Sequence, residues 1–365
     1  MAIITVCIIA LLVLAIQRKL YARYWKAGLR VSLGFSERVI TEGEEVLLTE
    51  TIENRKFLPL PWLAVKFSVS GNLEFLDHMN VQTSDYTYRN DLFNVMMNQR
   101  IKRRLPVKGL RRGYYTIKSL DLVSSDVVAT LKLTEQMGSN AALTIYPRII
   151  SAEDFIVPYN KILGTILARR FINPDPFEFK GIREYQPYDS LKSINFKATA
   201  KANKFMVNIN DYTLSQEIVI ILNLEPYSAY PSEYLYEDAI RMAASLAAYY
   251  AREGIPLSFY SGGYEVESGS GGGHMENIME SLAHIDLNET HPPAAPIIES
   301  ELSAGRADPV YVLISTYRGK DLTDAFARLR ESGAATVWIV PLYADMDLSL
   351  PDEDNMTRWV VNGND

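Results

Sequence analysis

The fold of the C-terminal half is decided by the stretch Ile218-Val219-Ile220-Ile221-Leu222, an unbroken run of apolar residues. Such a run is typical of a strand that is buried on both faces, as in a parallel sheet covered by helices. The next segment has apolar residues at helical spacing, with Ser232 as the predicted N-cap and Gly254 as the predicted C-cap. Further strands are predicted at 256–260, 310–314, 336–340 and 359–361, and further helices at 276–284 and 322–331. This alternation predicts an α/β domain over residues 211–365.

Residues 31–150 have a different pattern, in which short β-rich segments are separated by turn residues. Segments 45–52 and 62–69 alternate partly between apolar and polar residues, and the turn at 54–61 contains two prolines. Strands at this spacing, without convincing helical periodicity, predict an antiparallel β-sandwich. Residues 151–210 are predicted to connect the sandwich to the α/β domain.

A strongly basic segment lies within the predicted sandwich. Residues 92–120 contain no acidic residue, and their basic residues are Arg100, Lys102, Arg103, Arg104, Lys108, Arg111, Arg112 and Lys118. One interpretation is a solvated strand at a sheet edge, which its charge keeps soluble. The other is a patch that contacts the anionic cytoplasmic leaflet of a membrane. Both interpretations remain open at this point.

The N-terminal residues predict a membrane anchor over residues 1–25. Residues 1–16 carry no charge and would span about 24 Å as a helix, which is less than the ~30 Å of a hydrocarbon core. Snorkelling of Arg18 and Lys19 would cover this difference. Four residues are expected to continue the helix into the interfacial aromatic belt, namely Leu20, Tyr21, Tyr24 and Trp25.

The orientation of this anchor is predicted from the charges that follow it. Residues 17–30 contain five basic residues and no acidic residue. By the positive-inside rule, Met1 lies outside and the body of this single-pass protein is cytoplasmic. A cleaved signal peptide is the alternative, but no basic n-region precedes the apolar run and no A-x-A-like site follows it.

The composition excludes several classes of function. A net charge of −7 over 365 residues argues against nucleic acid as a partner, because duplex binding requires a basic face. The single cysteine, Cys7, excludes a disulfide framework and a cysteine-based metal site. The glycine-rich stretch 261–274 lacks the lysine of a Walker A loop, so it is predicted to be a flexible loop. We predict no cofactor, and no motif identifies an enzyme.

Residues 183–201 form the most distinctive segment, with Arg-Glu-Tyr-Gln-Pro-Tyr-Asp at 183–189 and Ile-Asn-Phe-Lys-Ala-Thr-Ala-Lys at 194–201. It resembles the signature of a bacterial family called domain of unknown function 58, roughly R-E-Y-x-x-G-D-x-x-R-x-I-x-W-x-x-x-A-R. The matching positions are Arg183, Glu184, Tyr185, Asp189, Ile194, Ala200 and Lys201. The sequence departs from the signature at Tyr188, Lys192 and Phe196.

We predict that this signature segment is a structural clasp and part of a partner surface. Its apolar side chains Tyr185, Ile194 and Phe196 are expected to be buried against the α/β sheet. Asp189 is expected to accept hydrogen bonds from local donors, whereas Lys197 and Lys201 are expected to face solvent. The predicted interaction residues are Arg183, Glu184, Tyr185, Asp189, Asn195, Phe196, Lys197 and Lys201.

The resemblance implies that the α/β half is a von Willebrand factor A-like domain, a class that often binds Mg²⁺ through D-x-S-x-S after its first strand. In this sequence, Asn223, Glu225 and Tyr227 occupy those positions. A later loop contains Ser315 and Thr316 where the class has an aspartate. Because Mg²⁺ requires several converging oxygen ligands, this degenerate set predicts no metal.

The resemblance also implies a partner, because members of the family are often paired with MoxR-type AAA+ ATPases that assist assembly or maturation of other proteins. The predicted function is therefore a membrane-anchored, non-enzymatic interaction or scaffold module. The alternative is a metal-assisted hydrolase that uses Asp189 and Glu225, which requires a concave pocket where carboxylates converge.

Overall fold

The computed structural model describes residues 2–77, 81–83, 86–151, 162, 164, 179–186, 191–210, 217–226, 233–306, 309–343 and 356–361. Tyr188, Asp189, Tyr227 and Ser232, which carry predictions from the sequence, lie outside these residues. The chain divides into two compact units, Met1–Arg148 and Ile149–Asp365, and the signature segment belongs to the second.

The first unit begins with helix α1 (Ala2–Tyr24). Its part Ile3–Tyr24 is long and apolar enough to cross a membrane, judged by length and composition. The side chains of the apolar run are exposed within the protein, as is expected of a surface that lipid would cover.

The last turns of α1 pack against the sandwich. Tyr21 and Trp25 are buried in the sandwich core, and the Tyr21 hydroxyl donates to the Pro59 carbonyl at 2.8 Å. The expectation that these two residues join an interfacial aromatic belt is therefore wrong. The physical reason is their spacing of four residues, which places both on the face of the helix that meets the sandwich. Leu20 and Tyr24 remain exposed.

In the described residues, the sandwich has ten strands. They are β1 (Leu29–Phe35), β2 (Val39–Thr41), β3 (Glu45–Asn54), β4 (Leu60–Ser70), β5 (Leu73–Phe75), β6 (Val81–Thr83), β7 (Tyr86–Val95), β8 (Arg100–Gly109), β9 (Gly113–Ser124) and β10 (Leu133–Tyr146). One sheet has the order β1-β3-β8-β5 and the other β2-β10-β9-β4-β7-β6. All pairs are antiparallel except β2 with β10. The prediction of a β-sandwich is confirmed.

Alternation along the strands builds the core between the two sheets. On β3, for example, Val46, Leu48 and Ile52 are buried, while Leu47, Thr49 and Thr51, on the other face, are exposed or half-buried. This is the period of two expected of a strand with one face on the core. The basic segment does not behave as a uniformly solvated edge, because β8 lies between β3 and β5. In addition, Arg103 on β8 bonds inward to Asp91, and Arg112, which follows β8, is buried.

The second unit contains the signature segment and a larger sheet. The signature segment comprises β11 (Phe179–Glu184), a 3₁₀ turn (Leu191–Ser193), α2 (Phe196–Ala202) and β12 (Met206–Asn210). The remaining elements are β13 (Ile218–Leu222), α3 (Glu233–Arg252), β14 (Leu257–Ser261), β15 (Tyr264–Gly269), α4 (Gly272–His284), α5 (Ala295–Ala304), β16 (Val310–Ile314), α6 (Lys320–Glu331), β17 (Ala335–Tyr343) and β18 (Met356–Val361).

The larger sheet has the order β15-β14-β13-β16-β17-β18. Counted from its first strand, this is the order 3-2-1-4-5-6 of doubly wound sheets. Its strands are parallel except β15, which pairs antiparallel with β14. Helices α5 and α6 share one apolar cluster with alternate residues of the central strands, among them Val219, Ile221 and Leu313.

Two features of this unit differ from the prediction. The glycine-rich stretch is not a loop, because it forms β15 and the first turn of α4. Its hairpin is made possible by Gly262 and Gly263, whose positive φ angles of 56° and 89° suit a tight reversal. His274 is anchored, since its Nε2 lies 2.8 Å from the Leu257 carbonyl oxygen. Helix α5 was not predicted.

Candidate functional site

The carboxyl ends of β13 and β16 define the crevice in which a doubly wound sheet binds its ligands. These two strands are neighbours, and the chain leaves them toward opposite sides of the strand order. Asn223 and Glu225 follow β13, and Ser315 and Thr316 follow β16. The structure therefore brings together four of the residues that the sequence predicted as a degenerate metal site.

One hydrogen bond between Asn223 and Ser315 joins the two loops. Asn223 Nδ2 donates to Ser315 Oγ at 3.1 Å, and Asn223 Oδ1 accepts from the Glu225 amide at 3.3 Å. Ser315 Oγ in turn donates to the Tyr317 carbonyl at 3.0 Å. Asn223, Ser315 and Thr316 are all buried. The polar atoms at the centre of the crevice thus bond to one another instead of facing outward.

Glu225 is half-buried and makes structural contacts. Its Oε2 accepts from the Ala294 amide at 3.4 Å, just before α5, and its carbonyl accepts from the Tyr236 hydroxyl at 3.3 Å. Within the described parts of the chain, no group of three or more His, Cys, Asp or Glu side chains could hold a metal ion. The carboxylate that the alternative hydrolase requires is thereby placed in a structural hydrogen bond.

Sequence reasoning missed a tyrosine–aspartate pair beside this crevice. The Tyr317 hydroxyl donates to Asp321 Oδ1 at 3.0 Å, and this hydrogen bond raises the pKa of Tyr317, with smaller contributions from burial and from Asp321 and Glu225 charges. Tyr317 folds over Gly319, where a Cβ would collide with its hydroxyl. The spacing of four residues across the start of α6 was the available signal.

The signature segment is a strand pair whose connection is held by Asn195. In the register of β11 and β12, Arg183 lies opposite Val207 and Glu184 opposite Met206. Asn195 caps α2 by accepting from the Ala198 amide at 2.9 Å, while its Nδ2 donates to Asn208 Oδ1 at 2.7 Å. Its own amide donates to the Met206 carbonyl at 2.8 Å. Asn195 therefore joins α2 to β12, while Asp189, which was predicted to accept local hydrogen bonds, lies outside the described residues.

The apolar side chains of this segment are not buried as expected. Phe196 is 77% exposed, and Leu191 and Phe205 are also exposed. Phe196 faces solvent because the face of α2 that contacts β12 runs through Ala198 and Thr199, and Thr199 Oγ1 accepts from the Met206 amide at 3.0 Å. The prediction of a buried Phe196 is wrong.

Tyr185 and Ile194 are half-buried, with partners inside the segment itself. The Tyr185 ring meets Phe205 edge to face, with centroids 6.3 Å apart, and Ile194 forms a bridge with Val207. Both were expected to be buried against the α/β sheet. Their partners shown here, Phe205 and Val207, belong to the signature segment, and both side chains stay half-buried.

Cations surround the exposed apolar residues. Lys197 and Lys201 are exposed, as predicted, and Lys204 makes a solvent-exposed ion pair with Glu184 at 3.5 Å. Arg183 donates through Nη1 to the Glu184 carbonyl at 3.1 Å. We call the exposed set the signature face, which consists of Leu191, Phe196, Lys197, Lys201 and Phe205.

A separate group of ionisable side chains lies inside the sandwich. Arg89 on β7 is fully buried and bonds to Asp91 and, through both terminal nitrogens, to Asp77. Arg103 on β8 donates to the second oxygen of Asp91 at 2.8 Å. Arg89 also lies over the Phe75 ring, 4.7 Å from its centroid. Two arginines balance two aspartates, so the network is neutral and well bonded.

Glu50 on β3 lies beside this network in a different state. Neither of its carboxyl oxygens has a hydrogen-bond partner in the described part of the chain. Burial, reinforced by the charge of Asp91, raises the pKa of Glu50 to about 8, although Arg103 and Arg89 act in the opposite direction. This shift favours the protonated, neutral form of Glu50 at pH 7.

A polar cluster in the α/β unit is fully paired. Buried Glu301 on α5 accepts from the hydroxyls of Tyr260 at 2.9 Å and Tyr311 at 3.3 Å. Arg306 approaches the same carboxylate at 3.2 Å and Glu217 at 2.8 Å. Burial and the bond to Glu301 raise the pKa of Tyr260 to about 12, so its phenol stays protonated at neutral pH. We interpret this cluster as structural.

Comparisons with known proteins give weak similarities. No family model matches the chain, and no curated protein matches it. Similar solved chains include the CARDB domain of a Pyrococcus furiosus protein in complex with di-metal ions, with 12% identity and a TM-score of 0.22 over 32% of this chain and 93% of that one. A non-cellulosomal cohesin from Archaeoglobus fulgidus has 11% identity and a TM-score of 0.23 over 36% and 98%. At these scores the similarities assign no family, ligand or partner to this chain.

Proposed function

We propose that this chain is a membrane-anchored interaction protein that binds a protein partner through its signature face and catalyses no reaction. The observation that carries the proposal is the exposure of Phe196, Leu191 and Phe205 on a frame held by Asn195. Exposed apolar patches rimmed by polar groups are typical of interaction sites. Lys197 and Lys201 favour a partner with an acidic rim around an apolar pocket.

We further propose that the chain is related to the domain of unknown function 58 family, with a metal-free von Willebrand factor A-like domain. The strand order 3-2-1-4-5-6 supports a doubly wound domain of this kind. The bond between Asn223 and Ser315 supports a crevice that is closed by its own side chains. The resemblance makes a MoxR-type AAA+ ATPase the proposed partner.

The anchor and its orientation are also part of the proposal. An uncleaved helix is supported by its contacts with the sandwich, since Tyr21 and Trp25 fill the core and Gln17 donates to Asp126 at 2.8 Å. Loss of the helix would remove these contacts. By the positive-inside rule, the five cations among residues 17–30 support a cytoplasmic position for the sandwich and the α/β unit.

The test is a binding measurement with the purified full chain in detergent and a MoxR-type ATPase from the same organism. Phe196→Ser combined with Lys197→Ala should weaken binding by about 2 kcal/mol, roughly 30-fold, if Phe196 is a hot spot. The matched control is Trp62→Ser with Lys66→Ala, an exposed aromatic and an exposed lysine on the sandwich, which should bind normally. Equal binding by the two double variants would contradict the proposal.

A further inference from the structure

Three loops of the sandwich meet at the end that receives α1. They are residues 55–59 between β3 and β4, 96–99 between β7 and β8, and 125–132 between β9 and β10. The strand registers place their ends together, because Leu60 lies opposite Val95 and Leu133 opposite Ser124. We call these the collar loops.

Hydrogen bonds hold two of the collar loops to each other and to the segment after α1. Asn54 Nδ2 donates to the carbonyls of Leu58 at 3.0 Å and Met96 at 2.9 Å. The Arg55 amide donates to the Gly28 carbonyl at 2.9 Å, just beyond the helix. The collar loops at 55–59 and 96–99 are therefore presented in one arrangement and not as independent tips.

The collar loops carry large apolar side chains that the protein leaves exposed. Phe57 is 80% exposed, and the others are Met96, Met97, Val127 and Val128. The two valines occupy the tip of their loop, whose base is fixed by Asp126, which accepts from the amides of Thr130 at 2.6 Å and Leu131 at 2.9 Å. Apolar side chains held exposed on a fixed loop are unfavourable in water, and they suit an apolar environment.

Contacts with α1 set the level of these tips along the helix. Gln17 Nε2 donates to Asp126 Oδ2 at 2.8 Å, so the loop at 125–132 reaches the helix at Gln17. Gln17 is also the residue at which the apolar run 1–16 ends and the basic stretch begins. The tip at Val127 and Val128 therefore lies beside the transition from apolar to polar helix, which in a spanning helix marks the membrane interface. The loop at 55–59 meets the helix one turn further on, where the Pro59 carbonyl accepts from the Tyr21 hydroxyl.

We propose that the collar loops insert into the headgroup–acyl boundary of the bilayer that α1 crosses. The inference rests on the membrane anchor in the proposed function. The apolar run covers about 24 Å of a ~30 Å hydrocarbon core, so immersion of loop tips by about 5–10 Å matches what the helix lacks. Exposed Lys26, Arg55 and Arg100 rim the collar and complement an anionic headgroup layer, although Glu53 and Glu135 partly neutralise them.

The collar also separates the two interpretations of the basic segment. Arg100, at the start of β8, belongs to the collar rim, whereas Lys108 and Arg111 lie toward the other end of the sandwich. In this arrangement only the first part of the segment meets lipid headgroups. In the remainder, Lys102, Arg104 and Lys118 are exposed, whereas Arg103 bonds inward to Asp91 and Arg112 is buried.

The test uses the full chain in vesicles of phosphatidylcholine and phosphatidylglycerol, with a fluorophore attached to single cysteines. Native Cys7 reports on α1, and Phe57→Cys and Val128→Cys, each in a Cys7→Ser background, report on two collar loops. Leu110→Cys, at the opposite end of the sandwich, is the matched control because Leu110 is also an exposed apolar residue. Nitroxide lipids labelled at shallow and deep acyl positions and aqueous iodide serve as quenchers.

We expect shallow nitroxides to quench the fluorophores at positions 57 and 128 more strongly than deep ones, and iodide to reach them poorly. The fluorophore at position 110 should be quenched well by iodide and little by either nitroxide lipid. The collar would be overturned if nitroxide lipids quenched the Cys7 fluorophore while the fluorophores at positions 57 and 128 behaved like the one at position 110. The anchor would stand in that case. Accessibility of Cys7 itself to iodide would contradict the anchor and with it the collar.

Discussion

Glu50 shows how one buried residue makes stability depend on pH. Its pKa is raised to about 8 in the folded protein, mainly by burial, whereas a glutamate in the unfolded chain has a pKa of about 4.3. The folded state therefore binds more protons between these values, and the free energy of unfolding falls as pH rises through this range. Below both values Glu50 is protonated in both states and causes no loss.

The prediction is that Glu50→Gln removes much of this pH dependence. The variant should be more stable than the parent at pH 8, because a neutral amide replaces an acid that ionises there. At pH 5, where Glu50 is already neutral, the difference should be smaller. Chemical denaturation of the full chain in detergent at the two pH values measures both. A stability difference that stays constant from pH 5 to 8 would contradict the account.

Single residues also mark the limit of what the sequence predicts. Asn195 precedes a short helix and is a residue type favoured at N-caps, so its role was accessible from the pattern. The exposure of Phe196 was not, because it depends on which face of a two-turn helix meets β12. Tyr21 and Trp25 were misassigned for a similar reason, since an apolar aromatic suits both a lipid interface and a protein core.

At the scale of elements, the signature segment depends on the side-chain amide of Asn195. Its oxygen accepts from the Ala198 amide and its nitrogen donates to Asn208. Asn195→Ala removes the cap of α2 and the bond to Asn208, and it should destabilise the segment by about 1–2 kcal/mol. Asn195→Asp keeps the acceptor for Ala198 and loses the donor to Asn208, so its cost should be smaller. Amide hydrogen exchange of residues 179–210 measures both effects.

Trp62→Ser, on the surface of the sandwich, is the control for Asn195 and should leave exchange in the signature segment unchanged. If Asn195→Ala exchanged no faster than the parent chain, the role described for this residue would be wrong. Equal rates for the alanine and aspartate variants would show that the bond to Asn208 accounts for the whole effect.

Buried parallel strands were predicted most accurately among the elements. The run at 310–314 coincides with β16, and 218–222 coincides with β13, because a strand covered on both faces must be apolar throughout. Helix α5 and strand β15 were missed. Helix α5 has Pro296 in its first turn, where proline is tolerated although the local composition indicates a turn, and β15 lies among glycines that indicate a loop.

At the scale of the molecule, the chain combines an apolar helix, a β-sandwich and a doubly wound α/β sheet. The order of these parts could be predicted from changes in periodicity along the sequence, and a β-sandwich and an α/β sheet are found in the two compact units. The partner surface could not be predicted from the sequence, because tertiary contacts decide which side chains are exposed. In our account the helix holds the chain at the membrane, and the signature face presents apolar and basic groups to a partner.

Site-specific photo-crosslinking in cells, with the crosslinker at residue 196, tests most directly whether the signature face binds a partner. A photoreactive phenylalanine analogue at position 196 is expected to form a covalent adduct with one main protein, identified by mass spectrometry as a MoxR-type AAA+ ATPase. The same analogue at position 62, on the exposed face of the sandwich, is expected to give no such adduct. The account would be contradicted if position 196 yielded no protein adduct beyond those seen at position 62.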